Sequence, residues 1–450
     1  MKKVIALVLA LAVCGSAVLG CKSTTTSTTT TTAAAATTTA AATTAAAETT
    51  APAGPAEITV VTSYGGDDGN RANYEAAVAA YEKATGNKVN DASGTSNEEW
   101  KAKIMADFET GAEPDVLFYF NGVDANDLVN NGKVVSIDTI RAEYPDYASN
   151  MKDDLIPASP ADGQKYAVPV NGYWEGLYVN KAVLEDCGVK VPGADYTWDQ
   201  FLADCEVIKT AGYTPIACSL AEVPHYWFEY SIFNHDTVAT HNTLPASSTD
   251  TAGAAWVSGL NDIKSLYELG YFPTNTLTST DAETFQLMAD NKAAFAIDGS
   301  WKIGWFQENA ADINDFTVTY VHAQNERKAT DLIGGLSMGY YITEKAWNDP
   351  EKREACVKFV EAMTQDDVVS LFGATAVTAL KSGTTAPTDA DSLVVAALAM
   401  TKAATGVASA VQDNLNQTAR TELFSGSIKK IVTGSMTAQA AVDAALAIKE

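Results

Sequence analysis

The chain is 450 residues long, with 30 Lys and Arg against 56 Asp and Glu, a formal charge of −26 at pH 7, 8 Trp and 18 Tyr. So acidic a balance excludes nucleic acid and anionic lipid surfaces as electrostatic partners. The length beyond the first 55 residues is enough for two lobes with cores of their own.

At the amino end, Lys2 and Lys3 precede an apolar run from Val4 to Val13. That run is too short to span a bilayer, which takes about 20 residues, and the layout is that of a secretory signal covering 1–20. Val18-Leu19-Gly20-Cys21 resembles the lipobox of bacterial lipoproteins. The resemblance implies acylation of Cys21 as the first residue of the exported chain. Lys22 to Pro55 is almost wholly Thr, Ala and Ser. It has too little apolar bulk to offset its ordering entropy, so 21–56 is expected to be a flexible tether reaching roughly 30–35 Å. Its Thr density makes O-glycosylation conceivable. Beyond Cys14 and Cys21, the cysteines Cys187, Cys205, Cys218 and Cys356 are irregularly spaced, without CxxC. They read as buried thiols rather than a disulfide framework.

Glu57 to Thr62 reads as a strand rich in β-branched residues, followed by the loop Ser63 to Gly69. A helix-period run from Ala72 to Ala84 then stops at Gly86. Lys88 to Asp91 is a short strand, Glu98 to Phe108 an amphipathic helix, Asp115 to Phe120 a buried strand, and Asp124 to Asn130 a helix. The pattern restarts with a strand at Gly176 to Val179, a helix at Lys181 to Asp186, and a helix from Trp198 to Lys209 with Thr197 as its N-cap. Tyr213 to Ser219 is a strand, before helices at Trp227 to Phe233, Gly253 to Leu269 and Ala282 to Asp290. Strands at Ala293 to Ile297, Phe316 to Val321 and Leu336 to Ile342 precede a helix from Pro350 to Met363 and a mostly helical tail. Strands alternating with helices predict an α/β fold of mostly parallel sheets with helices on both faces.

Five segments carry a resemblance: GAEPDV at 111–116, DGQKYAVP at 162–169, LYVNK at 177–181 with TWDQF at 197–201, NKAAF at 291–295 with Gly299-Ser300-Trp301, and Gly334-Gly335-Leu336 with NDPE at 348–351. In this order and spacing they resemble family 1 extracellular solute-binding proteins, the maltose-binding-protein-like carbohydrate-binding lipoproteins of ABC importers. The resemblance runs from about Glu57 to Glu450. It implies a two-lobed type II periplasmic-binding-protein-like fold with a hinge between the lobes. One lobe would hold 57–168 and 331–378, the other 169–330 and 379–450. It also implies a monomeric, extracytoplasmic protein, lipid-anchored to the outer face of the cell membrane. Such a protein delivers a carbohydrate, in the first instance an oligosaccharide, to ABC permease subunits and needs no cofactor.

A sugar offers apolar C–H faces and a rim of hydroxyls, so its site needs flat rings with amide and carboxylate partners. By the resemblance, Trp301 stacks on the sugar at a strand end. Tyr173, Trp174 and Glu175 follow the presumed hinge, and Tyr173 stands where relatives carry a ligand-contacting Glu. Tyr119 takes the strand-end position of a stacking ring, with Asn121 and Asp124 just beyond it. Asp67 and Asp68 follow the first strand, where relatives place polar ligand contacts. Glu222 and Tyr226 belong to a segment like a Glu-Pro-Tyr ligand loop. Gly334 and Gly335 would let backbone approach the solute. Each ring also fits a core position, and each polar residue a surface loop.

The four histidines, His225, His235, His241 and His322, form no HExxH, and neither GxxxxGK[ST] nor GxSxG occurs. No metal site or catalytic centre is therefore expected. Two other readings stay open: a secreted glycoside hydrolase, which needs two carboxyls flanking the bond, and the same fold holding a peptide, polyamine or metal chelate.

Overall fold

The computed structural model describes residues 55–66, 68–170, 172–373, 375–384 and 388–448. The leader, Cys21, the tether and Asp67 lie outside the described residues. The strands are, in chain order, β1 (Glu57–Val61), β2 (Lys88–Asp91), β3 (Val116–Phe120), β4 (Val168–Pro169), β5 (Tyr173–Asn180) and β6 (Thr214–Ile216). There follow β7 (Ala293–Gly299), β8 (Phe316–Thr319), β9 (Asp331–Gly335), β10 (Met338–Ile342) and β11 (Gly406–Ala408). They form two sheets, ordered β2-β1-β3-β10-β4 and β11-β9-β5-β7-β6, with β8 also on β5.

The two-lobed α/β arrangement is as expected, and both sheets are mixed. β1 runs parallel to β2 and β3, whereas β10 runs antiparallel to β3 and β4. In the second sheet β6–β7 and β9–β11 are parallel, whereas β5 is antiparallel to β7, β8 and β9. The cause is the route of the chain. β5 and β10 are each entered directly from a strand of the other lobe, without the helical crossover that links neighbouring parallel strands.

The chain crosses between Pro169 and Tyr173, between Gly335 and Met338, and again after Leu380. β9 thus belongs to the second sheet, and the return crossing expected at 331 falls at 336–337. Ala379 and Leu380 pack in the first lobe's core, beyond the expected boundary at 378. The crossings meet at Gly172, whose N–H donates to the Val377 carbonyl at 2.5 Å. A Cβ on Gly172 would lie 2.5 Å from the Gly335 oxygen and 2.7 Å from that of Val377, so only glycine lets three backbone segments converge there.

Each sheet buries apolar residues on both faces. Around the first, Ile58, Val60, Val116 and Phe118 pack on one side, and Val61, Leu117 and Tyr119 on the other. In β5 the period of two sends Leu177 and Val179 into one core of the second lobe, and Trp174 and Tyr178 into the other. Each fully buried large side chain of this kind is worth about 1.5–3 kcal/mol. The helix Trp198–Thr210 starts as expected at Thr197, which forms a capping box with Gln200. Among the described residues no helix is long and apolar enough to cross a membrane.

Candidate functional site

β5 and β7 pair antiparallel with Glu175 opposite Gly299, so the start of β5 and the end of β7 reach the same edge of the second sheet. Tyr173 opens β5, and Trp301 follows β7. Tyr226 and His225 come from the first turn of the helix His225–Phe233. The Trp301 ring centre lies 6.2 Å from that of Tyr173 and 5.6 Å from that of Tyr226, and the Tyr226 ring lies 4.3 Å from that of His225. All four rings remain partly exposed. Gly299 permits this arrangement, since a Cβ there would stand 2.1 Å from the indole that folds back over it.

Carboxyls surround these rings. Asp298, the residue before Gly299, is buried and accepts from the Gly299 N–H at 2.7 Å. Burial pushes it up to about 7, against the opposing pull of the Lys302 ammonium 3.7 Å away, and the Trp301 side chain hydrogen-bonds to it. Burial pushes Asp413 up to about 6, opposed by Lys101 and Arg420. Glu175 is held well above the usual carboxyl range by burial, then by Glu229, Asp413 and Asp298. Among the described residues its Oε2 has no hydrogen-bond partner. His225 is driven down to about 3 by burial and by the same Lys101 and Arg420, so it is a neutral ring at pH 7. The second lobe thus presents flat rings backed by acids that can donate or accept protons in hydrogen bonds.

Residues of the first lobe meet this surface. Asp124 pairs with Lys101 at 3.1 Å and with Arg420 of the second lobe. The Gln417 amide donates to the Glu98 carbonyl at 2.8 Å. Gly69, in the loop after β1, touches the backbone of Trp301 and Gly304.

The structure brings together Tyr173, Glu175, Tyr226 and Trp301, and places Asp124 at the junction of the lobes. Several of the other expected residues are engaged elsewhere. Trp174 is 3% exposed, stacks on Tyr178 and donates its indole N–H to Thr375 at 3.2 Å. It points to the opposite face of β5 from Tyr173 because neighbouring strand residues alternate. Tyr119 is 1% exposed and packs on Trp100 at 5.5 Å in the first lobe's core. Asn121 donates to the Leu336 carbonyl at 3.1 Å, which ties it to a crossing segment. Asp68 accepts from the Asn70 N–H at 2.8 Å ahead of the helix Arg71–Thr85. Glu222 is exposed and accepts from the Asp281 N–H at 2.5 Å, which anchors the helix Asp281–Ala289. Gly334 approaches backbone rather than open space: a Cβ would lie 2.6 Å from the Tyr173 oxygen. Gly335 borders the cluster: a Cβ there would lie 3.7 Å from the Tyr173 ring.

Sequence reasoning did not single out Asp298, His225, Asp413, Lys101 or Arg420 for the site. Asp298 was open to discovery, as the last acid before a Gly-Ser-Trp turn. Asp413 and Arg420 sit in a tail with no motif around them. Two cavities of about 300 and 320 Å³ lie elsewhere on the second lobe, around Phe272 and Leu415. Both are open to solvent, and neither includes any of these rings or carboxyls. Among the described residues no group of three His, Cys, Asp or Glu side chains could hold a metal ion.

Several solved structures share this architecture. A chitin oligosaccharide binding protein superposes with a TM-score of 0.74 at 19% identity, over 87% of this chain and 97% of its own. The maltose/maltodextrin-binding domain MalE from Bdellovibrio bacteriovorus, bound to maltotriose, gives 0.67 at 18% identity, over 87% and 97%. RafE in complex with raffinose gives 0.65 at 16%, over 87% and 98%. At such identities the likeness is one of fold. No curated protein matches the chain in sequence. Residues 76–379 match the pattern of the bacterial extracellular solute-binding proteins, and with two-thirds of its length so matched the chain belongs to that family.

Proposed function

We propose that the protein binds a carbohydrate between its lobes and hands it, chemically unaltered, to the permease of an ABC importer. The observation that carries this reading is the cluster of Tyr173, Tyr226 and Trp301 at one sheet edge, backed by Glu175, Asp298 and Asp413 and facing the first lobe. Rings suit the apolar faces of a sugar, and carboxyls suit its hydroxyls. Structural relatives are named for chitin oligosaccharide, maltotriose and raffinose. Solute that touches both lobes binds the closed form best and shifts the population towards it. A micromolar affinity corresponds to about −8 kcal/mol.

Cys21 would be acylated and hold the domain at the outer face of the membrane, with the Thr- and Ala-rich tether giving it reach to the permease. Mass spectrometry of membrane fractions tests this: a diacylated Cys21 is expected, and Cys21→Ala should release the protein. For the solute, a thermal-shift screen over mono- and oligosaccharides should find a stabilising sugar. Absence of any shift across the panel would remove the carbohydrate reading.

A further inference from the structure

Among the described residues, two junctions away from the crossings bring the lobes together beside the ring cluster. On one flank Gly69 lies against Trp301 and Gly304, backbone to backbone: a Cβ on Gly69 would be 2.4 Å from the Trp301 oxygen, and one on Gly304 would be 2.3 Å from the Gly69 oxygen. On the other flank Arg420 of the second lobe pairs with Asp124 of the first. Lys101 binds Asp124 at 3.1 Å and Glu98 at 3.0 Å, and Gln417 reaches the Glu98 carbonyl at 2.8 Å. Arg420 and Lys101 are 2% and 5% exposed, so the charged centre of this second junction is buried.

Gly304 follows β7 and Arg420 follows β11, with β5 and β9 between those strands. Three strand spacings separate β7 from β11, about 14 Å across the sheet. Tyr173 opens β5, which lies between those two strands. We propose that closure seals the cleft at both flanks, so that the solute is a mono- or disaccharide enclosed whole rather than a stretch of a longer glycan. This rests on the carbohydrate reading and narrows it. A longer chain has to leave by one flank. On the first it must separate two backbones already in contact; on the second it must break a buried ionic network and leave charges unpaired, which is costly.

Calorimetry on the full chain tests the proposal with glucose, xylose and N-acetylglucosamine, and with their malto-, cello-, xylo- and chito-oligomers from dimer to hexamer. Within whichever series binds, affinity should peak at the monomer or dimer and fall at least tenfold by the tetramer. Equal or tighter binding of the tetramer and hexamer overturns the inference and leaves the carbohydrate reading standing. Failure of every saccharide removes both. Gly304→Ala supplies an independent arm, because its Cβ meets the Gly69 carbonyl only when the lobes are closed. Its affinity for the best saccharide should fall about tenfold, while the melting temperature of the ligand-free protein stays within a degree or two. An unchanged affinity would mean that this flank does not seal.

Discussion

Trp301 is fixed from three sides: Gly299 leaves room for its ring, Asp298 takes a hydrogen bond from it, and Tyr173 and Tyr226 flank it. A ring so held is already oriented before solute arrives, and little rotamer freedom is left to lose. Trp301→Ala should therefore weaken the best saccharide about tenfold or more, measured by calorimetry, with little change in the melting temperature of the unliganded protein. Asp298 gives a pH signature. Its folded pKa of about 7 lies above the unfolded value of about 4, so its contribution to stability is full below pH 4 and is lost as pH rises towards 7. Asp298→Asn lacks that titration. On lowering the pH from 8 to 5 the wild type should gain about 2.5 kcal/mol relative to Asp298→Asn in chemical denaturation, with shared contributions such as that of His225 cancelling in the difference. A constant difference across that range would mean that Asp298 is not desolvated. Candidate residues such as Tyr173 and Trp174 look equivalent in a list, but the period of a strand forbids both from facing the cleft. That constraint was hidden while the strand was read as starting at Gly176, and it applies because β5 reaches back to Tyr173. The burial of Tyr119 agrees with the reading of Asp115 to Phe120 as a buried strand, whereas its packing on Trp100 from a separate helix had no local signal.

Among the elements, those with strong local signals match the sequence closely. Thr197 caps its helix as expected, with Gln200 completing a capping box, and Gly86 ends the first helix in the left-handed region at φ 78°. Thr197→Ala should cost about 1 kcal/mol of unfolding free energy, read in a denaturant titration. The elements that escaped notice are the short ones. β4, β9 and β11 span two, five and three residues and owe their strand character to partners far away in the chain. The helix Lys302–Asn309 lacks a side-chain cap and begins directly after Trp301. The place of the hinge, just after Pro169, followed from the resemblance, but the part played by Gly172 did not, because that residue acquires meaning only when Gly335 and Val377 are brought against it. Gly172→Ala should destabilise the protein by roughly 1–3 kcal/mol, since the atoms it would strike are backbone oxygens that cannot move aside cheaply. A melting temperature equal to that of the wild type would contradict the convergence described here.

At the scale of the whole molecule, two sheets with separate cores are joined by three crossings and meet across a surface of rings and acids. The motifs at 111–116, 162–169 and 177–181 made the lobes and their order readable. The network of Asp124 with Arg420 could not be foreseen, as its partners lie 296 residues apart and in different lobes. That juxtaposition depends on the closed arrangement and on nothing local. The central claim is that the lobes clamp a sugar and do not cut it, and native mass spectrometry of the full chain incubated with the saccharide panel tests it most directly. A one-to-one complex is expected, with an added mass equal to that of the intact sugar. Cleaved fragments, or no adduct with any saccharide, would contradict it.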